Sequence, residues 1–162
     1  MERDLGLFLS IAEIAGVFVG FGALISFAQE QGVEARVQLR GVVTIGLVVL
    51  VAALLPVALA SYGLGDRALW AGSSAGFLGV IWIALGVLLR VPEQRGFAAG
   101  DARAHPVLTL FFWGGLELPI QVFLVLVILG VAPTLAVAFY VSALVLNLFE
   151  AAWMLARLVM SR

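Results

Sequence analysis

Five stretches of the chain, residues 5–28, 41–63, 68–89, 107–131 and 134–156, are almost free of charge and near the length of a bilayer crossing. A helix needs about 20 apolar residues, at ~1.5 Å each, to traverse ~30 Å of hydrocarbon. Lipid offers the backbone no hydrogen-bond partner, so a spanning segment must be a helix or part of a closed barrel. Barrel strands alternate polar and apolar residues over about ten positions. Residues 42–50 read VVTIGLVVL, with no such alternation. The pattern predicts an all-α integral membrane protein, a bundle of about five transmembrane helices forming one domain over residues 1–162.

Composition supports the same fold class. Of 162 residues, 64% are hydrophobic and 12% charged, against roughly 45–50% and about 25% in an ordinary soluble domain. A chain this short has too little interior to hide such an excess. Ser26-Phe27-Ala28 resembles a small-x-small cleavage site. The preceding apolar run is longer than a signal core of about 7–15 residues, and Glu13 interrupts it, so the reading is a retained helix.

Several function classes fall away. The net charge of −1 gives no footing for nucleic acid. Without cysteine there is no thiolate metal site, Fe–S cluster or cysteine nucleophile. All nine basic residues are arginine, which removes a Schiff-base lysine, and the single histidine, His105, cannot provide paired haem ligands. No cofactor and no metal site is expected. The arginine bias points to a GC-rich bacterial genome, and so to a bacterial inner (cytoplasmic) membrane.

Orientation follows from where the arginines fall. With five crossings, one side carries Arg36, Arg40, Arg90, Arg95, Arg103, Arg157 and Arg162 and the other Arg3 and Arg67, seven against two. The excess of positive charge marks the cytoplasmic side, which places the N-terminus outside and the C-terminus in the cytoplasm. The connections expected are a polar loop at 29–40, a tight turn at 62–66, a long loop at 90–106, and a hairpin at 130–133 with Pro133 opening the last helix. The four tryptophans read as an aromatic belt plus core packing, with Trp70 placed as an interfacial anchor.

Three glutamates, Glu13, Glu117 and Glu150, interrupt apolar helices. An ionisable group in hydrocarbon costs several kcal/mol (about 3 on insertion scales) unless paired, neutralised or wetted, and marks a functional site by default. Glu13 lies ~12 Å and Glu117 ~15 Å from the ends of their helices, so both are expected near mid-depth and within reach of one another. Around Glu117 the chain reads FFWGGLELPIQ. Pro119 cannot donate to the carbonyl of Gly115, and Gly114 and Gly115 weaken the same turn, so these three residues read as a hinge. Gln121 shares the face of Glu117. On the last helix, Asn147, Glu150 and Arg157 share a face, with Arg157 expected to snorkel towards the headgroups. A broken helix with a carboxylate at mid-membrane is a common cation site of transport proteins. A proline kink with a protonated, hydrogen-bonded carboxyl is the structural alternative.

Small residues mark the expected helix contacts. Ser10, Glu13, Gly16, Gly20 and Ala23 form one stripe, and Gly72, Gly76 and Gly79 another. Such faces allow close backbone approach within or between chains, so a homo-oligomer surrounded by lipid is expected.

Two enzyme-like strings carry little. Residues 72–76 fit G-x-S-x-G, but that motif needs a strand–turn–helix setting, and His105 belongs to the opposite side. Residues 63–66 fit G-x-G-D, but Asp4 and Asp101 offer no second carboxylate beside it, and the string makes an ordinary turn. No catalytic residue is expected. The function expected is a small transport or channel protein for cations or protons, using Glu13, Glu117, Gln121, Asn147 and Glu150. The second reading is a non-catalytic accessory or assembly subunit that packs on other helices through its glycine faces.

Overall fold

The structure, a computed structural model, describes residues 2–28 and 32–160. Arg162 and residues 29–31, counted above in the charge bias and the first loop, lie outside them, and so does the side chain of Arg3. Among the described residues the chain is helical throughout, with no strand. In order come α1 (Glu2–Ala28), α2 (Val33–Ala60), α3 (Asp66–Arg90), α4 (Pro92–Ala104), α5 (Pro106–Leu110), α6 (Leu118–Leu129) and α7 (Ala136–Met160). A π-helical turn, Phe111–Glu117, joins α5 to α6, and a 3-10 turn, Pro133–Leu135, opens α7. Five stretches are long and apolar enough to span a membrane: Gly6–Ile25, Ala35–Ala60, Asp66–Arg90, Pro106–Leu129 and Pro133–Met160. The all-α membrane bundle expected from the apolar runs is the architecture found.

Two connections differ from expectation. Most of the polar stretch 29–40 is helix, since α2 starts at Val33. Val37 and Leu39 are buried there while Arg36 and Arg40 are exposed, an amphipathic turn that hydropathy alone does not mark. The long loop at 90–106 is instead the 13-residue helix α4. Val91, in extended conformation, separates it from α3, and Pro92 starts it. His105 and Pro106 then end it and start α5. Each proline stops the preceding helix and presets φ for the next.

The remaining turns follow from local chemistry. Gly63 takes φ +70° in the turn between α2 and α3. Gly130 takes φ +68° at the end of α6, where the Val131 amide donates to Leu126 O at 3.2 Å. Only glycine adopts that left-handed position without strain, and the long return bond satisfies a carbonyl the helix end leaves free.

Side-chain contacts set the arrangement. Helix α2 packs against α1, α3 and α7, and α6 packs against α3 and α7. Thus α2, α3, α6 and α7 close a four-helix ring, and α1 lies outside it against α2. The half of the ring towards the turn at 63–66 is filled. Tyr140 is fully buried among Phe8, Trp70 and Phe77, with ring centroids 5.7–5.9 Å away. Its hydroxyl donates to Ala52 O at 2.6 Å. Below this cluster Val49, Ala53, Ile120, Leu124 and Leu144 are fully buried. Trp70 therefore packs into the core as well as standing near the end of its helix.

Candidate functional site

The other half of the ring, at the end carrying Arg36, Arg40, Arg90 and Arg157, is hollow. A cavity of about 250 Å³ runs from Gln38, Gln94, Asp101 and Arg157 at that end to Val48, Ile81, Glu117 and Asn147 at mid-length. Its walls come from α2, α3, α4, α5 with the π turn, and α7. Beyond it, towards the turn at 63–66, lies the aromatic and aliphatic core.

The π turn places Glu117. Pro119 has no amide hydrogen for Gly115 O, so the chain reaches the proline in a wider register: the Leu118 amide donates to Trp113 O, five residues back. The expected break is therefore absent, and the helical path from Pro106 to Leu129 is continuous. A π turn often accompanies a functional site, because it rotates the side chains that follow it. Here Glu117, the last residue of the turn, is 9% exposed and lines the cavity. Gln121 does not line it. Gln121 Nε2 donates to Glu117 Oε1 at 2.8 Å and so holds one carboxylate oxygen from one turn along α6.

Opposite, α7 contributes Asn147 and Glu150, 3% and 2% exposed. Asn147 Oδ1 and Glu150 Oε1 have no hydrogen-bond partner. Buried polar atoms are nearly always paired, because an unpaired one costs about 1–3 kcal/mol. With Gln94 Oε1, which is also unpaired, three such oxygens stand in one cavity wall, groups suited to a ligand or water.

Arg157, expected to snorkel, is instead bound by α4. Its Nη2 and Nη1 donate to Asp101 Oδ1 and Oδ2 at 3.0 and 3.2 Å. This two-pronged pairing holds the Asp101 carboxyl below the usual carboxylate range. It also ties α4, which packs on α2, α3 and α5, to α7 across the arginine-bearing end of the ring. Among the described residues Arg157 is the only basic side chain in the cavity wall, and Asp101 occupies it. Glu117 and Glu150 have no positive partner there.

Glu13 is elsewhere. It is exposed on the face of α1 turned away from the ring and is not part of the cavity wall. The expected approach of Glu13 to Glu117 does not occur, because α1 is peripheral and its buried face carries Phe8, Ile11, Ala12 and Ala15. Ser10 and Gly20 share the exposed side.

The glycines divide in the same way. A Cβ at Gly20 or Gly79 would meet nothing within 4 Å, whereas at Gly16 and Gly72 it would touch Leu50 and Leu59 at ordinary contact distance. At Gly76 it would come within 2.9 Å of Leu55 Cδ1. Approaches as close or closer involve glycines the two stripes do not include, among them Gly41, whose Cβ would lie 2.6 Å from Met154 Cε. A Cβ on Gly46 would lie 2.9 Å from Val19 Cγ2 and 3.4 Å from Ala15 O, and one on Gly22 would lie 2.6 Å from Val43 Cγ2. In the hinge, a Cβ on Gly115 would lie 3.3 Å from Phe111 Cδ2, and one on Gly114 would have more room.

Sequence reasoning missed Thr44, Gln94, Asp101 and Trp153 as cavity residues. For Gln94 and Asp101 the signal was present in Pro92 and Pro106, 14 residues apart, which bracket a helix. Comparison with protein-family models, curated proteins and solved structures gave no match.

Proposed function

We propose that this is a membrane transport protein that takes cations or protons from the cytoplasmic side into a vestibule ending on Glu117 and Glu150. The observation that carries the reading is the pair of buried carboxyls, with the unpaired Asn147 amide oxygen, in one cavity wall without a free positive charge. A carboxyl at mid-membrane attracts a cation or accepts a proton, and hydrocarbon walls strengthen that attraction. The filled half around Tyr140 favours a carrier closed on one side over an open pore. The asymmetry of the arginines assigns the vestibule to the cytoplasm. Glu117→Gln and Glu150→Gln, each reconstituted in liposomes, test it. Either should lower proton or cation flux at least tenfold with the fold intact by circular dichroism. Undiminished flux in both variants overturns the reading.

A second reading has its own observation. Glu13 stands on the outer face of α1 with no partner among the described residues, flanked by exposed Ser10 and Gly20. In hydrocarbon that carboxyl calls for a polar neighbour on another helix. A second copy of the chain, or another membrane protein, would supply it, as in an oligomer or an accessory subunit. The two readings concern different faces of the molecule and are compatible.

A further inference from the structure

We infer that the vestibule is built for an amphiphilic organic cation, a substituted ammonium carrying an apolar or aromatic body, rather than for a bare metal ion. The inference rests on the cation reading of the same cavity and narrows it. Glu117 and Glu150 call for positive charge, since the only guanidinium in the wall is taken by Asp101. A dehydrated inorganic cation, however, needs a shell of about six to eight oxygens at roughly 2.3–2.6 Å. The deep wall offers oxygens from Glu117, Glu150, Asn147 and Thr44, one of the Glu117 oxygens being already held by Gln121, and its other side chains, Ile45, Val48, Ile81 and the aromatic rings, are apolar. Among the described residues, no three acidic or histidine side chains come together as a metal site.

Size and lining point the same way. A cavity of about 250 Å³ is far larger than one ion, and lies just below the ~300–1,000 Å³ usual for small-molecule pockets. Four aromatic side chains, Phe97, Phe112, Trp113 and Trp153, line it together with the two carboxyls. Aromatic rings beside carboxyls are the chemistry that recognises alkylated ammonium groups. The rings attract the diffuse charge without hydrogen bonds, which a quaternary nitrogen cannot donate. The apolar walls would take the body of the ligand, and α4, carrying Phe97, closes over it.

Calorimetry on the purified full chain tests this with benzyltrimethylammonium and with neopentylbenzene, which has the same shape and no charge. Saturable binding of the ammonium, at least tenfold tighter than that of the hydrocarbon, is expected. Glu150→Gln should weaken it about tenfold. Trp113→Leu, at a half-exposed position, should weaken it several-fold with the helix content unchanged by circular dichroism. Excess sodium or potassium should not compete. Displacement of the ammonium by sodium or potassium, or equal binding of the hydrocarbon, overturns the inference. So does liposome flux of protons or alkali cations that benzyltrimethylammonium neither inhibits nor accompanies, although that result leaves the acidic vestibule standing. Absence of both binding and flux removes both readings.

Discussion

Arg157, near the end of the last helix, holds Asp101 of α4 through two hydrogen bonds of 3.0 and 3.2 Å, 56 residues apart in sequence. The pair links the polar helix to the bundle and keeps the one nearby guanidinium away from Glu150. Both side chains are partly exposed, so the pair contributes little stability, at most about 1 kcal/mol. Its effect is expected on the position of α4.

Asp101→Asn should therefore leave thermal stability nearly unchanged while loosening α4. The chain has no cysteine, so a single cysteine at Gln94 is a clean probe, and its labelling by a water-soluble maleimide should rise several-fold. Acid should act likewise. The Asp101 carboxyl is held below its ordinary value by the Arg157 hydrogen bonds, with His105 adding in the same direction. A carboxyl depressed in the folded state stabilises it above the unfolded pKa of about 3.9 and loses that contribution as pH falls through the folded value. Labelling should stay constant from neutral pH down to about 4, and climb only below it. Unchanged labelling in Asp101→Asn would show that the ion pair does not hold the helix.

Glu13 and Glu117 should behave independently. Glu13→Gln is expected to leave liposome flux within twofold of the parent, because Glu13 does not touch the cavity. Its effect should appear in the oligomeric state, read by light scattering in detergent. A Glu13→Gln loss of flux equal to that of Glu117→Gln, with no further loss in the double variant, would place both carboxyls on one pathway.

Gly46 and Gly20 provide a matched pair. Gly46→Leu forces a side chain into Val19 and the backbone of Ala15, at the cost of about 1–3 kcal/mol typical of overpacking. The Cβ of Gly20→Leu would meet nothing within 4 Å, and the variant should keep the monomer's stability, measured by denaturant titration in micelles. Any effect of Gly20→Leu should be on association alone.

The arginine asymmetry predicts a cytoplasmic C-terminus. A reporter fused after Arg162 should be active in its cytoplasmic form and silent in its periplasmic one. The opposite result would turn the vestibule to the outside.

Span number and helix type were legible in the chain itself, because burying backbone in lipid leaves a helix as the only choice for runs such as 42–50. The distortion beside Glu117 was legible too, from Pro119 and two glycines, although its form was not. A missing amide can be met by a break or by a wider turn, and the wider turn is the one found, where α6 packs between α3 and α7 and the π turn packs on α7. Helix α4 was hidden because its stretch, PEQRGFAAGDARA, buries no residue of its own, so hydropathy carries no trace of it.

What the sequence by itself determined is which segments enter the membrane, where arginines collect, and that Glu13, Glu117 and Glu150 lie within apolar helices. What only the tertiary structure decided is which way each glutamate faces. Glu13 and Glu117 look alike along the chain, each an acid among apolar residues and glycines, yet one lines the cavity and the other faces away from the bundle. In a soluble helix the polar side marks the surface, but in lipid both sides are apolar, so periodicity carries little rotational information. Rotation is then set by shape, by the close meeting of Gly46 with Ala15 and Val19 and of Gly22 with Val43, contacts between residues far apart in the chain.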